Sequence, residues 1–318
     1  MRVLAAPDKF RGTLTAREAA AAIAAGAERS GWTADELPLA DGGEGTLDVL
    51  GGGNRRTAVT GPLGEPVEAA WRLEDDGTAL IEAAQACGLT LAGGPEGNDP
   101  LHATSRGVGE LIAAAVAAGA TRIVVSVGGV ASTDGGVGAT EAVPHPLLVP
   151  LEVAWDVDAR FLDAADVFAP QKGATSEQVR ILRERLAKLV VPDLPGSGAA
   201  GGLAGGLAAI GARLLPGFDL VAERLWLDER LAQADLVVTG EGLLDATSFT
   251  GKVVGRVLEH AEAAGMEALV VAGDVAEDSP LEAVSLVARY GPERALAEPA
   301  KCLAELVAAT LAARENGP

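Results

Sequence analysis

An α/β fold of two domains is predicted by three features of the chain. Short apolar runs of strand length alternate with longer helical patterns along most of it. The two ends share this βα rhythm, whereas the middle holds a stretch of two-residue alternation. The chain has 318 residues, long for one core and comfortable for two. It is 48% hydrophobic but only 3% aromatic. Alanine, leucine and valine must therefore fill the cores, as in proteins rich in helix–sheet contact.

The elements follow in order. Residues 2–6 (RVLAA) read as a buried strand. "TAREAAAAIAAGAERSG" reads as a helix, with Thr15 and Glu18 spaced as a capping box. "DELPLA" (35–40) leads into "DGGEGT" (41–46) and a short helix. From Thr57 the alternation of period two around Gly64 and "DDG" (75–77) predicts an antiparallel meander. Helical spacing returns over 105–120, where Ser105 is placed to cap. Strands are predicted at 122–127 and 151–155, and an amphipathic helix over 174–190 with Thr175 and Gln178 as a second capping box. Residues 196–214 are helical in spacing but rich in glycine, which lowers helix propensity. The first rhythm then resumes: strand 235–242, helix 251–264, strand 267–274, a strand at "AVSLVA" and a closing helix over 299–314. These patterns predict a parallel-sheet, Rossmann-like domain built from residues 1–56 and 227–318, with a mixed α/β domain inserted over 57–226.

Acidic residues outnumber basic ones by 45 to 25, for a net charge of −20. That argues against nucleic acid and anionic membranes as partners. The start of the chain has no signal-peptide pattern and no apolar run reaches about 18 residues, so a cytoplasmic location is expected. Cys87 and Cys302 sit in apolar runs and read as buried thiols of a reducing compartment. With three widely spaced histidines they form no zinc pattern.

Every notable polar cluster falls just after a predicted strand: "APDKFRGT" (6–13), "ADGGEGT" (40–46), "GGVASTDGG" (128–136), "WDVD" (155–158), "APQKGA" (169–174) and "TGEGLLDATSFTGK" (239–252). Several couple a carboxylate to glycines. That suits a Mg²⁺–phosphate site, in which carboxylates hold the hydrated metal, glycine N–H groups hold phosphate oxygens and one Asp takes a proton from an attacking hydroxyl. Lys172 and Lys252, each beside a glycine, can act as point charges on phosphate, and Arg106 can grip a carboxylate. Neither common nucleotide fingerprint is present. "PDKFRG" follows the first strand, and "ATSFTGKV" has Ala246 and Val253 where a P-loop needs glycine and Ser/Thr. Taken singly, each cluster is an ordinary turn. Arg106 reads equally as a surface ion pair, Asp156 as a strand end, His145 as a loop residue between prolines, and 198–211 as a packing seam. Six clusters at strand ends in one chain are harder to set aside.

Eight segments in order resemble the bacterial glycerate kinase family: "APDKFRGTLTA", "ADGGEGT", "VTGPLG", "TSRGVGELI", "GGVASTDGG", "FAPQKGA", "PGSGAAGG" and "GEGLLDATSFTGK". The resemblance runs from Met1 to about residue 274. It implies a two-domain α/β enzyme, with its substrate cleft between the domains, that transfers the ATP γ-phosphoryl group to D-glycerate with Mg²⁺. Several positions depart from the family's pattern. Lys9 stands for a serine and Arg11 for a lysine, adding positive charge near the first strand end. Val130 stands for the serine of the glycine loop, Leu243 for an arginine and Thr247 for a glutamine. The family's longer stretch between this loop and the next strand is nearly absent, cut at "AVPHP".

Carried onto this chain, the resemblance implies Asp156 or Asp41 as the base, with Lys172 at the phosphates. It places Arg106, Ser132, Thr133, Asp134 and Asp8 on the substrate. Glu241, Asp245, Ser248, Gly251 and Lys252 fall to the nucleotide and its phosphates, and Asp41 and Glu44 to the metal. ATP and Mg²⁺ are the implied cofactors and a small hydroxy acid the partner, with a homodimer among the open oligomeric states. The 2-phosphate is the product the resemblance favours. The departures keep a second reading open, a family member that binds nucleotide or hydroxy acid without transfer.

Overall fold

The computed structural model describes residues 1–10, 12–281 and 283–315; the charge expected at Arg11 lies outside them. Eleven strands are found among the described residues: β1 (Arg2–Ala5), β2 (Thr33–Glu36), β3 (Arg55–Thr60), β4 (Pro66–Leu73), β5 (Thr78–Glu82), β6 (Arg122–Ser126), β7 (Leu151–Trp155), β8 (Arg213–Pro216), β9 (Leu236–Leu244), β10 (Ala268–Val275) and β11 (Val284–Ser285). They form two α/β units, one of Met1–Asp41 with Val221–Pro318 and one of Gly42–Leu220. No described helix is long and apolar enough to cross a membrane.

The first unit carries a five-stranded sheet in the order β11-β10-β9-β1-β2, parallel throughout. A parallel sheet needs helices on its faces. The helix Ala16–Arg29 supplies Ala19, Ala20, Ile23 and Ala27 to a core that also takes Leu303, Leu306 and Val307 from the helix Pro299–Glu315. Small residues let these helices approach closely. A Cβ at Gly26 would stand 2.6 Å from the Ala304 carbonyl oxygen. The predicted capping box is present: the Glu18 amide donates to Thr15 Oγ1 at 3.2 Å and Thr15 N to Glu18 Oε2 at 2.8 Å.

The second unit holds a mixed sheet in the order β3-β4-β5-β6-β7-β8. Its β3–β5 meander is antiparallel and the rest parallel. Val125, Ile81 and Val153 from the sheet meet Leu111, Ile112 and Leu203 in its core. The second capping box, Thr175 with Gln178, opens the helix Ser176–Leu186.

Three elements differ from expectation. "AVSLVA" forms only the two-residue β11 before turning into the helix Leu286–Tyr290, because the Ser285 hydroxyl caps it by accepting from Ala288 N. The glycine-rich stretch 196–214 is helical only over Leu203–Ala209. Gly196, Ala200, Gly201 and Gly202 all have φ between 56° and 87°, which a right-handed helix excludes, and Arg213 and Leu214 belong to β8. Ser105 adjoins the helix Arg106–Ala117 but its side chain does not cap it. Its hydroxyl donates instead to Asp134 Oδ2 at 2.8 Å and accepts from Ala139 N at 3.0 Å.

Candidate active site

In the first unit, polar residues gather at the C-terminal ends of the parallel strands, the usual ligand edge of such sheets. Asp8 follows β1, and its amide donates to the Gly240 carbonyl on β9 at 2.9 Å. Burial first, then the charge of Asp41 and, more weakly, that of Glu241 push its carboxyl up to about 8. Glu241 on β9 is also raised, mainly by burial, with Asp245 and Asp41 adding to the effect. Its Oε1 is buried without a hydrogen-bond partner. Burial and the charge of Asp41 therefore both oppose ionisation of Asp8 and Glu241.

Asp245 differs from them. Its Oδ1 accepts from the Thr247 amide and hydroxyl, both at 2.7 Å, and from the Ser248 amide at 3.1 Å, capping the turn Ala246–Phe249. The Thr247 hydroxyl leads the causes that hold its carboxyl below the usual range. Lys252 Nζ donates to the same hydroxyl at 2.7 Å. Thr247, a departure from the family pattern, thus joins carboxylate and ammonium. Ser248 is buried, Gly251 has a φ of 87° with open space where a Cβ would stand, and the Leu243 side chain is half exposed.

In the second unit, the glycine loop 128–136 follows β6. Gly88 and Val130 form a β-bridge, and Ala131 N donates to the Cys87 carbonyl at 2.8 Å. Val130, where the family has serine, is 2% exposed and belongs to the hydrophobic core. The Asp134 carboxylate accepts from Ser105 N and Oγ, Gly136 N and Gly138 N at 2.8–3.2 Å. Asp134 thereby ties the loop to the start of the helix that carries Arg106. Arg106 is exposed and donates to Glu110 Oε1 at 3.1 Å.

Lys172 is only 4% exposed, and its ammonium donates to the Ser132 carbonyl at 2.6 Å. Burial pulls it down to about 8 against the opposing pull of Cys87, Asp134 and Asp156. Ser132 and Thr133 are buried as well, and Thr133 Oγ1 has no hydrogen-bond partner. Asp156 follows β7, and a Cβ at Gly128 would lie 2.9 Å from its Oδ2. A side chain at Gly128 would crowd the Gly43 backbone, 2.4 Å away at Cα, as well as this carboxylate.

The loop rests on a seam of glycines. A Cβ at Gly206 would meet the Gly135 carbonyl oxygen at 2.4 Å and the Gly136 Cα at 2.8 Å, and one at Gly202 the Gly135 Cα at 2.9 Å. The glycine-rich stretch therefore acts as a packing seam beneath the loop. Glu44 sits beside Gly129, to which a Cβ would approach Glu44 Oε2 at 3.6 Å.

Two polar residues were not anticipated from the sequence. Glu82, buried at the end of β5, accepts from the amides of Gly45 and Leu47 at 3.0 and 2.9 Å and so fastens the loop that carries Glu44. Its signal was a carboxylate closing an otherwise apolar strand. Asn98 donates from Nδ2 to the Ala131 and Lys172 carbonyls at 3.2 and 2.9 Å. In "EGNDP" it looks like any turn residue. His102 pairs with Asp99 on the surface and His145 with the Thr140 carbonyl.

Comparison with known proteins bears on the family of the chain. The sequence model described as the Glycerate kinase family matches residues 3–149 and 141–312. The two matches overlap at 141–149, which contains the "AVPHP" segment. An uncharacterised protein of Mycobacterium bovis is 44% identical over 316 residues, spanning 91% of this chain and 83% of its own length. The glycerate 2-kinase of Escherichia coli K12 is 36% identical over 330 residues, spanning 87% of this chain and 86% of its own. A crystal structure described as glycerate kinase 2 from Salmonella typhimurium LT2 superposes with a TM-score of 0.79 at 32% identity, covering 100% of this chain and 99% of that one. With the family matched across both units and relatives bearing its name aligned over most of the length, the chain belongs to the glycerate kinase family.

Proposed function

We propose that the protein transfers the γ-phosphoryl group of ATP to a hydroxyl of D-glycerate, with Mg²⁺, and that the product is the 2-phosphate. The observation that carries the phosphoryl-transfer reading is the pair of buried carboxyls Asp8 and Glu241, whose ionisation the charge of Asp41 opposes, at the strand ends of the first unit. A divalent cation bound there would favour their ionised forms and would give the orphaned Glu241 Oε1 a partner. Among the described residues no group of three or more His, Cys, Asp or Glu side chains is assembled to hold a metal by itself. Mg²⁺ does not need one, because one or two carboxylates with phosphate oxygens and waters complete its shell. Asp41 with Asp8 or Glu241 would hold it, and Glu44 is kept as the second carboxylate that the resemblance implies. When bound, the ion neutralises charge on the phosphates.

The chain's own residues supply the rest. Lys252, steadied by Thr247, and the Gly251 amide face the nucleotide phosphates. Asp156, in the space Gly128 leaves, takes the hydroxyl proton. Arg106 stands beside the loop that Asp134 ties to its helix, within reach of a carboxylate. The 2-phosphate follows the name of the Escherichia coli relative.

An ADP-release assay with D-glycerate, ATP and Mg²⁺, its product read by phosphorus NMR, tests the reading. Turnover that yields 2-phosphoglycerate and is lost in Asp156→Asn is expected. Absence of turnover above a no-acid control overturns it. One observation favours the second reading, binding without transfer: Leu243 offers an exposed apolar side chain where the family carries a cation. That reading predicts a higher Tm with ATP and no ADP release.

A further inference from the structure

The glycine loop of the second unit is gripped from behind at two successive carbonyls. Asn98 Nδ2 donates to Ala131 O at 3.2 Å, and Lys172 Nζ to Ser132 O at 2.6 Å. Asn98 Nδ2 also donates to the backbone carbonyl of Lys172 at 2.9 Å, so the two grips are joined. Gly201 closes over the same side. With a φ of 66°, a Cβ there would stand 2.3 Å from Ser132 O and 2.9 Å from Lys172 Nζ, so no side chain fits.

A trans peptide sets each carbonyl antiparallel to the N–H of the next residue. Holding Ala131 O and Ser132 O on one side turns the Ser132 and Thr133 N–H groups to the other. Among the described residues neither amide has a backbone acceptor. Both residues are buried, and Thr133 Oγ1, 2% exposed, has no partner either. Buried donors left in this state cost free energy until an acceptor arrives, and successive backbone N–H groups in a glycine turn form an anion nest.

We infer that Asn98, with the Lys172 ammonium, is a positioning residue: the pair turns the Ser132 and Thr133 amides and the Thr133 hydroxyl onto the carboxylate of the hydroxy-acid substrate. The inference rests on the function proposed above. A singly charged carboxylate suits the nest better than a phosphate. The Asp134 carboxylate is built into the same loop, and it repels a multiply charged group more strongly. Asn98 touches no reacting atom in this scheme and acts through the loop alone. Its own Oδ1 is buried and unpartnered, so the side chain serves here as a donor.

The test compares steady-state constants and Tm for the wild type, Asn98→Ala, Asn98→Asp and Asn98→Ser. Asn98→Asp sets a carboxylate oxygen against two carbonyls, whereas Asn98→Ser keeps one short donor. The clamp predicts that Asn98→Ala and Asn98→Asp raise KM for D-glycerate at least tenfold, with KM for ATP changed less than twofold. Asn98→Ser should fall between them and the wild type. A folded variant with wild-type KM for D-glycerate overturns the inference, as does an equal rise in both KM values, whatever happens to Tm. If the wild type turns over no glycerate, the proposed function falls by itself. Calorimetric titration with D-glycerate then decides the clamp: at least tenfold weaker binding in Asn98→Ala upholds it, and equal binding or none to the wild type overturns it.

Discussion

Asp8 carries the largest consequence of any one side chain for pH dependence. Its carboxyl titrates near 3.8 in the unfolded chain and is pushed up to about 8 by burial and by Asp41. Between those values the folded state binds the extra proton, so this group's contribution to stability falls as pH rises through the window. The downward shift of Lys172 to about 8 acts above that window. Asp8→Asn should therefore flatten the decline of Tm between pH 5 and pH 8, measured by calorimetry without divalent cation; a slope equal to the wild type would show that Asp8 is not the titrating group. Legibility at this scale was uneven. Asp8, Asp41 and Glu241 stood out as carboxylates beside glycines after strands. Val130 was flagged only as a lost hydroxyl, because a residue letter does not tell which face of a turn goes to the core. The burial of Lys172 was hidden for the same reason. Its partner is the Ser132 carbonyl, 40 residues away, and no local pattern encodes that.

Local elements were read best where their signals are local. Both capping boxes, at Thr15 and Thr175, lie where the three-residue spacing put them. Ser105 looked like a third cap, yet its hydroxyl belongs to Asp134, 29 residues on. The stretch 196–214 misled because helical spacing is indifferent to φ, and glycine takes positive φ without steric cost. The seam it forms leads to a prediction. Gly206→Ala sets a methyl against the Gly135 carbonyl oxygen at 2.4 Å. Overpacking of about 1–3 kcal/mol exceeds the gain of about 1 kcal/mol in helix propensity. The variant should lower the urea midpoint with m unchanged, and a midpoint equal to the wild type or higher would show that the seam can open without cost.

At the scale of the whole molecule, the α/β class and the alternation of strand and helix were visible in the pattern. Sheet order was not, because β1 pairs with β9, Val3 lying opposite Leu236, a closeness only the fold creates. The net charge of −20 bears on kinetics rather than on fold. Both proposed substrates are anions, so long-range repulsion should slow their approach. Raising ionic strength from about 10 to about 150 mM shortens the Debye length from roughly 30 to roughly 8 Å. The value of kcat/KM should therefore rise over that range, and a fall would point to local cations governing capture.

The position of β1 also sets an order of events during synthesis. It lies between β9 and β2, and the helix after it packs on the helix Pro299–Glu315. β1 thus waits for β9, which is made long after it, while Gly42–Leu220 has its whole sheet available as soon as it is made. At about 5–20 residues per second, the stretch of about 200 residues between β2 and β9 takes roughly 10–40 s. For that interval the apolar β1 has a β2 neighbour but no β9. It is the part of the nascent chain that a chaperone has most reason to hold.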